Sequence, residues 1–134
     1  MMEQSQLSKI VKVLTMAYPY FFKDMSEEDI MSLTLLYRQK LKNYDYPIVA
    51  KAIDEIITNN KFMPSLAEVL DECNRQQRIF YKKKIDLMYE HGYFRTEEEY
   101  GKCLTWLFEE RPIIPEWLKK EMLNYSETKQ IKEN

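Results

Sequence analysis

Residues 59–72 read NNKFMPSLAEVLDE, and how this stretch is read decides the fold. Asn59 and Asn60 form a polar helix end, Phe62 and Met63 an apolar hinge, and Pro64 biases its predecessor away from the helical region. Ser65 and Glu68 stand at the S-x-x-E spacing, in which each side chain satisfies a free backbone N–H at the other's end of the first turn. The spacing predicts a helix starting at Leu66. A helix stop, a hinge and a helix start follow one another within a few residues, which is the pattern of helices joined by short loops.

The segments before this joint repeat the pattern. The run DYP at 45–47 opens a third helix with Pro in its first turn, and Val49, Ala52, Ile53, Ile56 and Ile57 draw one apolar stripe toward Asn59 or Asn60. SEED at 26–29 supplies an N-cap and an acidic first turn, favourable at the positive end of the helix dipole, for a second helix. That helix has Ile30, Leu33, Leu36, Tyr37 and Leu41 facing inward. A first helix follows from Leu7, Ile10, Val11, Leu14, Ala17 and Tyr18 at spacings of three and four, with Ser5 as N-cap and Pro19 near its end. Between the first two helices, YPYFF at 18–22 reads as a loop whose aromatic rings are pinned into the core.

Beyond the joint, the fourth helix meets no breaker before Gly92, so it spans about 27 residues, or ~40 Å. Leu66, Val69, Leu70 and Cys73 form a clear stripe in its first half. In the second half polar and basic residues interrupt the apolar ones, which places a soft boundary near Asn74. Thr96 and Glu99 form another capping box, with Tyr100, Cys103, Leu104, Leu107 and Phe108 on the buried side of a fifth helix. Pro115 begins a short final helix carrying Trp117, Leu118 and Met122, and residues 126–134 read as a polar, frayed tail. The expected architecture is all-α: a small helical bundle at 1–73 with a long fourth helix, a helical C-terminal extension at 74–125 that packs on the bundle or stands free of it, and a flexible tail at 126–134.

Composition agrees and narrows the chemistry. The chain has 134 residues, 45% hydrophobic and 31% charged, which is enough to bury a core. Only two glycines and five prolines occur, too few for the turns of an all-β fold. A net charge of -2 gives no global case for binding nucleic acid or membrane, so any such contact must be local. No run approaches the roughly 18 apolar residues of a membrane span. Cys73 and Cys103 lie far apart, with no C-x-x-C and no secretory signal, and read as reduced thiols of a cytoplasmic protein.

Catalytic groups are sparse. The single histidine, His91, stands beside Gly92 at a helix end, where an imidazolium favours the negative dipole. A metal site would need several converging ligands, and a P-loop needs glycines that this chain does not have. No cofactor or metal is expected, and the acidic runs at 27–29 and 97–99 fit first turns better than paired-carboxylate catalysis. What remains is surface. Arg75, Arg78 and Lys82 fall on one helical face with Lys83 and Lys84 beside them and Phe80 and Tyr81 interleaved. Such a face is either simply solvated or grips an acidic partner or nucleic acid phosphates. Trp106 and Trp117 are expected in the core, although Trp is also enriched at the centres of interfaces.

Taken together, Tyr18, Pro19 and Phe21, then Tyr37 and Leu41, then Ala52 and Ile56, and finally Phe62, Pro64, Ser65, Ala67 and Glu68 form a pattern over the first half of the chain. It resembles the phage-type family of replicative helicase loaders and inhibitors, small helical proteins that bind a hexameric DnaB-type helicase. The resemblance implies a protein without ATPase activity that restrains the helicase and hands it to an origin-binding initiator in the bacterial host cytoplasm. It also implies that the N-terminal helices form the folded domain and that the C-terminal part, flexible when free, engages the helicase. On that basis Arg75, Arg78, Tyr81, Lys82 and Trp117 are the expected partner-binding residues. The alternative is a small all-α DNA-binding module using the same basic face. Two features depart from the family pattern: Tyr37 stands where a Trp is expected, and the C-terminal half carries capping boxes and apolar stripes of its own.

Overall fold

The computed structural model describes residues 2–94, 96–108 and 116–133, with the side chains of all of these except 107, 108 and 126–133. They form seven helices and no strand: α1 (Gln4–Ala17), α2 (Pro19–Phe22), α3 (Glu27–Leu41), α4 (Tyr46–Asn59), α5 (Leu66–Glu90), α6 (Glu97–Phe108) and α7 (Glu116–Glu133). The all-α expectation holds, and the long helix counted fourth in the sequence is α5. The chain divides into two compact units, Met1–Gln77 and Arg78–Asn134. The sequence put its soft boundary near Asn74; the units part after Gln77.

In the first unit α1 packs against α2, α3 and α4. Leu7, Ile10 and Leu14 of α1 meet Tyr37 and Leu41 of α3 and Val49, Ala52, Ile53 and Ile56 of α4 in one buried cluster, which Val69 and Cys73 of α5 complete. Tyr44, in the turn between α3 and α4, is buried in the same cluster, and its hydroxyl donates to the Asn74 side-chain carbonyl. Tyr37 is fully buried, so the tyrosine fills a core position.

Three local readings change. Glu3, not Ser5, caps α1: the Gln6 side-chain carbonyl reaches back to the Glu3 N–H at 2.9 Å, closing a box two residues earlier than expected. Leu36 is exposed rather than inward, because Tyr37 and Leu41 are the buried residues of α3, Ile30 and Leu33 pack partly buried beside them, and Leu36 lies about 100° round the helix from Tyr37. The run 18–22 is not a loop with all rings inward. It contains the single-turn α2, and only Tyr18 and Phe22 are buried.

The opening joint forms as read. The Glu68 N–H donates to Ser65 Oγ at 3.2 Å and the Ser65 N–H to Glu68 Oε1 at 3.3 Å, so α5 starts at Leu66. It runs 25 residues, close to the length expected. Its end is closed by Gly92 at φ 69, a left-handed conformation that glycine adopts without strain. There the Tyr93 N–H donates to the Met88 carbonyl and the Gly92 N–H to the Tyr89 carbonyl, the paired bonds of a Schellman turn.

In the second unit Tyr81, Ile85 and Met88 of α5, Cys103 and Trp106 of α6, and Leu118, Met122 and Tyr125 of α7 are buried. Aromatic contacts knit it together: Tyr81 meets Trp106 edge-on at 5.7 Å, and Tyr93 meets Tyr125 at 5.5 Å. The final helix is not short. It has 18 residues, and its backbone is helical through the stretch read as a frayed tail, to Glu133. Pro115, expected to open it, lies outside the described residues, as do the side chains of Leu107 and Phe108. His91 does more than sit at a helix end: its Nδ1 lies 2.6 Å from the Tyr125 hydroxyl.

Candidate functional site

Two cations of the basic face of α5, Arg75 and Lys82, are engaged with carboxylates of their own helix. Arg75 is held by Glu72 through Nε and Nη2, the latter at 2.8 Å, and the Gln76 amide donates to the same carboxylate. These bonds, the Arg75 guanidinium first, keep the Glu72 carboxyl below its usual pKa. Lys82 pairs with Asp86 at 2.9 Å, which raises its ammonium pKa. Arg78 is half-buried. Tyr81 points inward against Trp106, so as a partner-binding residue it is corrected to a core one: at α5's spacing its ring falls on the same face as Ile85 and Met88.

Trp117 differs from its expected core position. It is 42% exposed, while Trp106 is buried. It lines a cleft of about 900 Å³ formed by Phe94, residues of α6 including Cys103 and Trp106, and Glu121 of α7, with Glu98 and Glu99 also on its wall. Arg78 and Lys82 do not line this cleft.

A second cleft was not anticipated. In the first unit Ala17, Tyr18, Pro19, Tyr20 and Phe21 form one bank of a groove of about 480 Å³, and Lys61, Phe62 and Met63 form the other. The rings there face solvent: Tyr20 is 83% exposed, Phe62 78% and Phe21 47%. Lysines sit on two of them, with Lys23 Nζ 4.8 Å from the Tyr20 ring centre and Lys61 Nζ 5.7 Å from that of Phe62. Both banks belong to motif segments read in the sequence, and one bond ties them together. The Tyr18 hydroxyl donates at 2.9 Å to the carbonyl of Asn60, the residue that caps the C-terminus of α4. Tyr18→Phe is expected to cost about 1 kcal/mol, the net worth of one such bond. It should also speed the backbone amide exchange of residues 60–63 in NMR, and unchanged exchange there would show that the bond does not hold the joint.

The sequence held a signal for this groove. Tyr18 and Phe22 are four apart and share a helical face, so Tyr20 and Phe21, between them, must point elsewhere once Pro19 starts a turn of helix. Reading the run as a loop hid that constraint.

The fold and these surfaces define a small all-α protein with exposed clefts walled by aromatic side chains and bordered by charged ones. The chain belongs to the family of the phage SPP1 helicase loader/inhibitor: the model of that protein's N-terminal domain matches residues 2–70, half of the chain. Neither a curated protein nor a solved structure matches it. Among the described residues, no helix is long and apolar enough to cross a membrane.

Proposed function

We propose that this chain is a non-enzymatic accessory protein of DNA replication that binds a hexameric DnaB-type helicase, restrains it and delivers it to an origin-binding initiator in the cytoplasm of a bacterial host. The match of residues 2–70 to a loader and inhibitor family carries this reading. A sequence without a P-loop accords with it, since a protein that acts by binding needs no nucleotide cycle of its own. Within the chain, Trp117 with Arg75, Arg78 and Lys82 are the residues assigned to the helicase contact. A half-exposed indole beside a large cleft suits an interface anchor, and the basic side chains suit acidic groups of the partner.

The test is co-purification of the full chain with the host's replicative helicase. A stable complex is expected, weakened about tenfold by Trp117→Ala, as for the truncation of an interface anchor. Failure of the full chain to bind any DnaB-type helicase would sink the reading. A direct DNA contact through the α5 face is the weaker alternative, because a chain of net charge -2 has no overall attraction for a line of phosphates. It requires an affinity for DNA that falls steeply with salt and with Lys82→Ala.

A further inference from the structure

We propose that the groove between residues 17–21 and 61–63 is a second binding site, for a peptide segment of a partner protein that carries acidic side chains beside a large apolar one. This inference does not depend on the helicase reading, which places its contact elsewhere in the chain.

Exposure carries the first part of the argument. Tyr20, Phe21 and Phe62 leave much of their ring surface in water although the first unit has a complete core without them. Stability does not require aromatic residues there, since solvent-facing positions gain little from large rings. The groove is also built in advance. Its banks come from segments some forty residues apart, and the Tyr18 hydroxyl bonds one to the other through Asn60.

Charge decides the occupant. Among the described residues, Lys61 is the one formally charged group lining the groove, and Lys23 lies over the Tyr20 ring at its edge. No described carboxylate lines it. An arriving carboxylate draws each ammonium off its ring face, and the ring then stacks on an apolar side chain of the same segment. The aliphatic part of the lining, Ala17, Pro19 and Met63, accepts a Leu-, Met- or Phe-like side chain. Single-stranded nucleic acid would also use rings and cations, but it needs a line of cations that tracks successive phosphates. Two lysines in a chain of net charge -2 do not provide that line.

The experiment is selection of a random-peptide display library on the full-length protein, with counter-selection on a Tyr20→Ala/Phe62→Ala double variant. Both side chains are exposed, so the variant should melt like the parent, and a melt checks this. The expected survivors carry Asp or Glu next to a large apolar residue, bind the parent, and lose about tenfold in affinity to Phe62→Ala or Lys61→Glu. Survivors without acidic bias, or binding indifferent to Phe62 and Lys61, would overturn the proposal. So would tighter binding of oligo-dT than of the selected peptides at equal salt, or a concentration-dependent dimer that Phe62→Ala abolishes, since each assigns the groove another occupant. Helicase co-purification run beside it separates the two sites: loss of peptide binding by Phe62→Ala is expected to leave a Trp117-dependent helicase complex intact.

Discussion

Leu14→Ala is expected to destabilise the first unit by about 3 kcal/mol. Leu14 is fully buried on α1, the helix that packs against α2, α3 and α4, and it belongs to the same cluster as Tyr37, Leu41, Val49 and Ile53. Truncation removes the transfer free energy of the lost methyl groups and leaves a cavity that three surrounding helices cannot all collapse into. For a unit of this size the loss corresponds to a fall in melting temperature of roughly 15 °C. Far-UV circular dichroism of the full chain reads it directly. Met16→Ala, two residues away on the same helix but largely exposed, is the control and should change the midpoint little. Equal effects from the two would mean that α1 does not pack by the face described.

The second large effect concerns the thiols. Cys73 is buried in the first unit, and desolvation first, with the Glu72 charge second, pushes its pKa up to about 12. Cys103 is buried in the second unit, and burial first, then Glu121 and Glu99, raises it to about 11. Only the thiolate reacts with disulfide reagents. At pH 8 about one Cys73 in ten thousand would be ionised, against about a quarter of an ordinary free cysteine. Native labelling of both is therefore expected to be slower than that of the unfolded chain by at least about tenfold, more so for Cys73, since the greater nucleophilicity of a high-pKa thiolate offsets only part of the lost ionisation. Single Cys→Ala variants, titrated with an aromatic disulfide with and without denaturant, give each rate separately. Rapid native labelling of either would contradict its burial.

The same shifts set a pH dependence. Both folded-state values lie above the unfolded one, so the folded protein holds these protons more tightly. Their contribution to stability is complete below the unfolded pKa of about 8.5 and is lost as the pH rises toward 11 and then 12. Alkaline unfolding of the parent should accordingly be relieved in Cys73→Ala.

Much of the first unit was legible because its helices announce themselves twice, once by a stripe and once by a cap. Leu7, Ile10, Val11 and Leu14 repeat at the helical period, and Ser65 with Glu68 marks a helix start that the backbone bonds reproduce. Leu36 was misplaced because a helix carrying more apolar residues than its buried face can hold does not say which will be left out. The candidate surfaces were less legible. An Arg or Lys on a helix looks free in sequence, yet Glu72 and Asp86 stand three and four positions away and engage Arg75 and Lys82. Trp117 and Trp106 cannot be told apart by residue type, since burial is decided by neighbours from other helices. The groove at Tyr20 and Phe62 joins segments far apart in the chain, and no local spacing encodes a hydroxyl that reaches from residue 18 to the carbonyl of residue 60.

Both indoles of the protein lie beyond Arg78, one buried edge-on to Tyr81 and the other half open to water. Excited at the red edge of the absorption band, where tyrosine is dark, the intact chain emits from its second unit alone. Trp106 supplies a blue component shielded from soluble quenchers, and Trp117 a red one that they reach. The protein thus carries its own optical label on one half, and a partner settling over Trp117 registers as a blue shift and a loss of quenching with no dye attached.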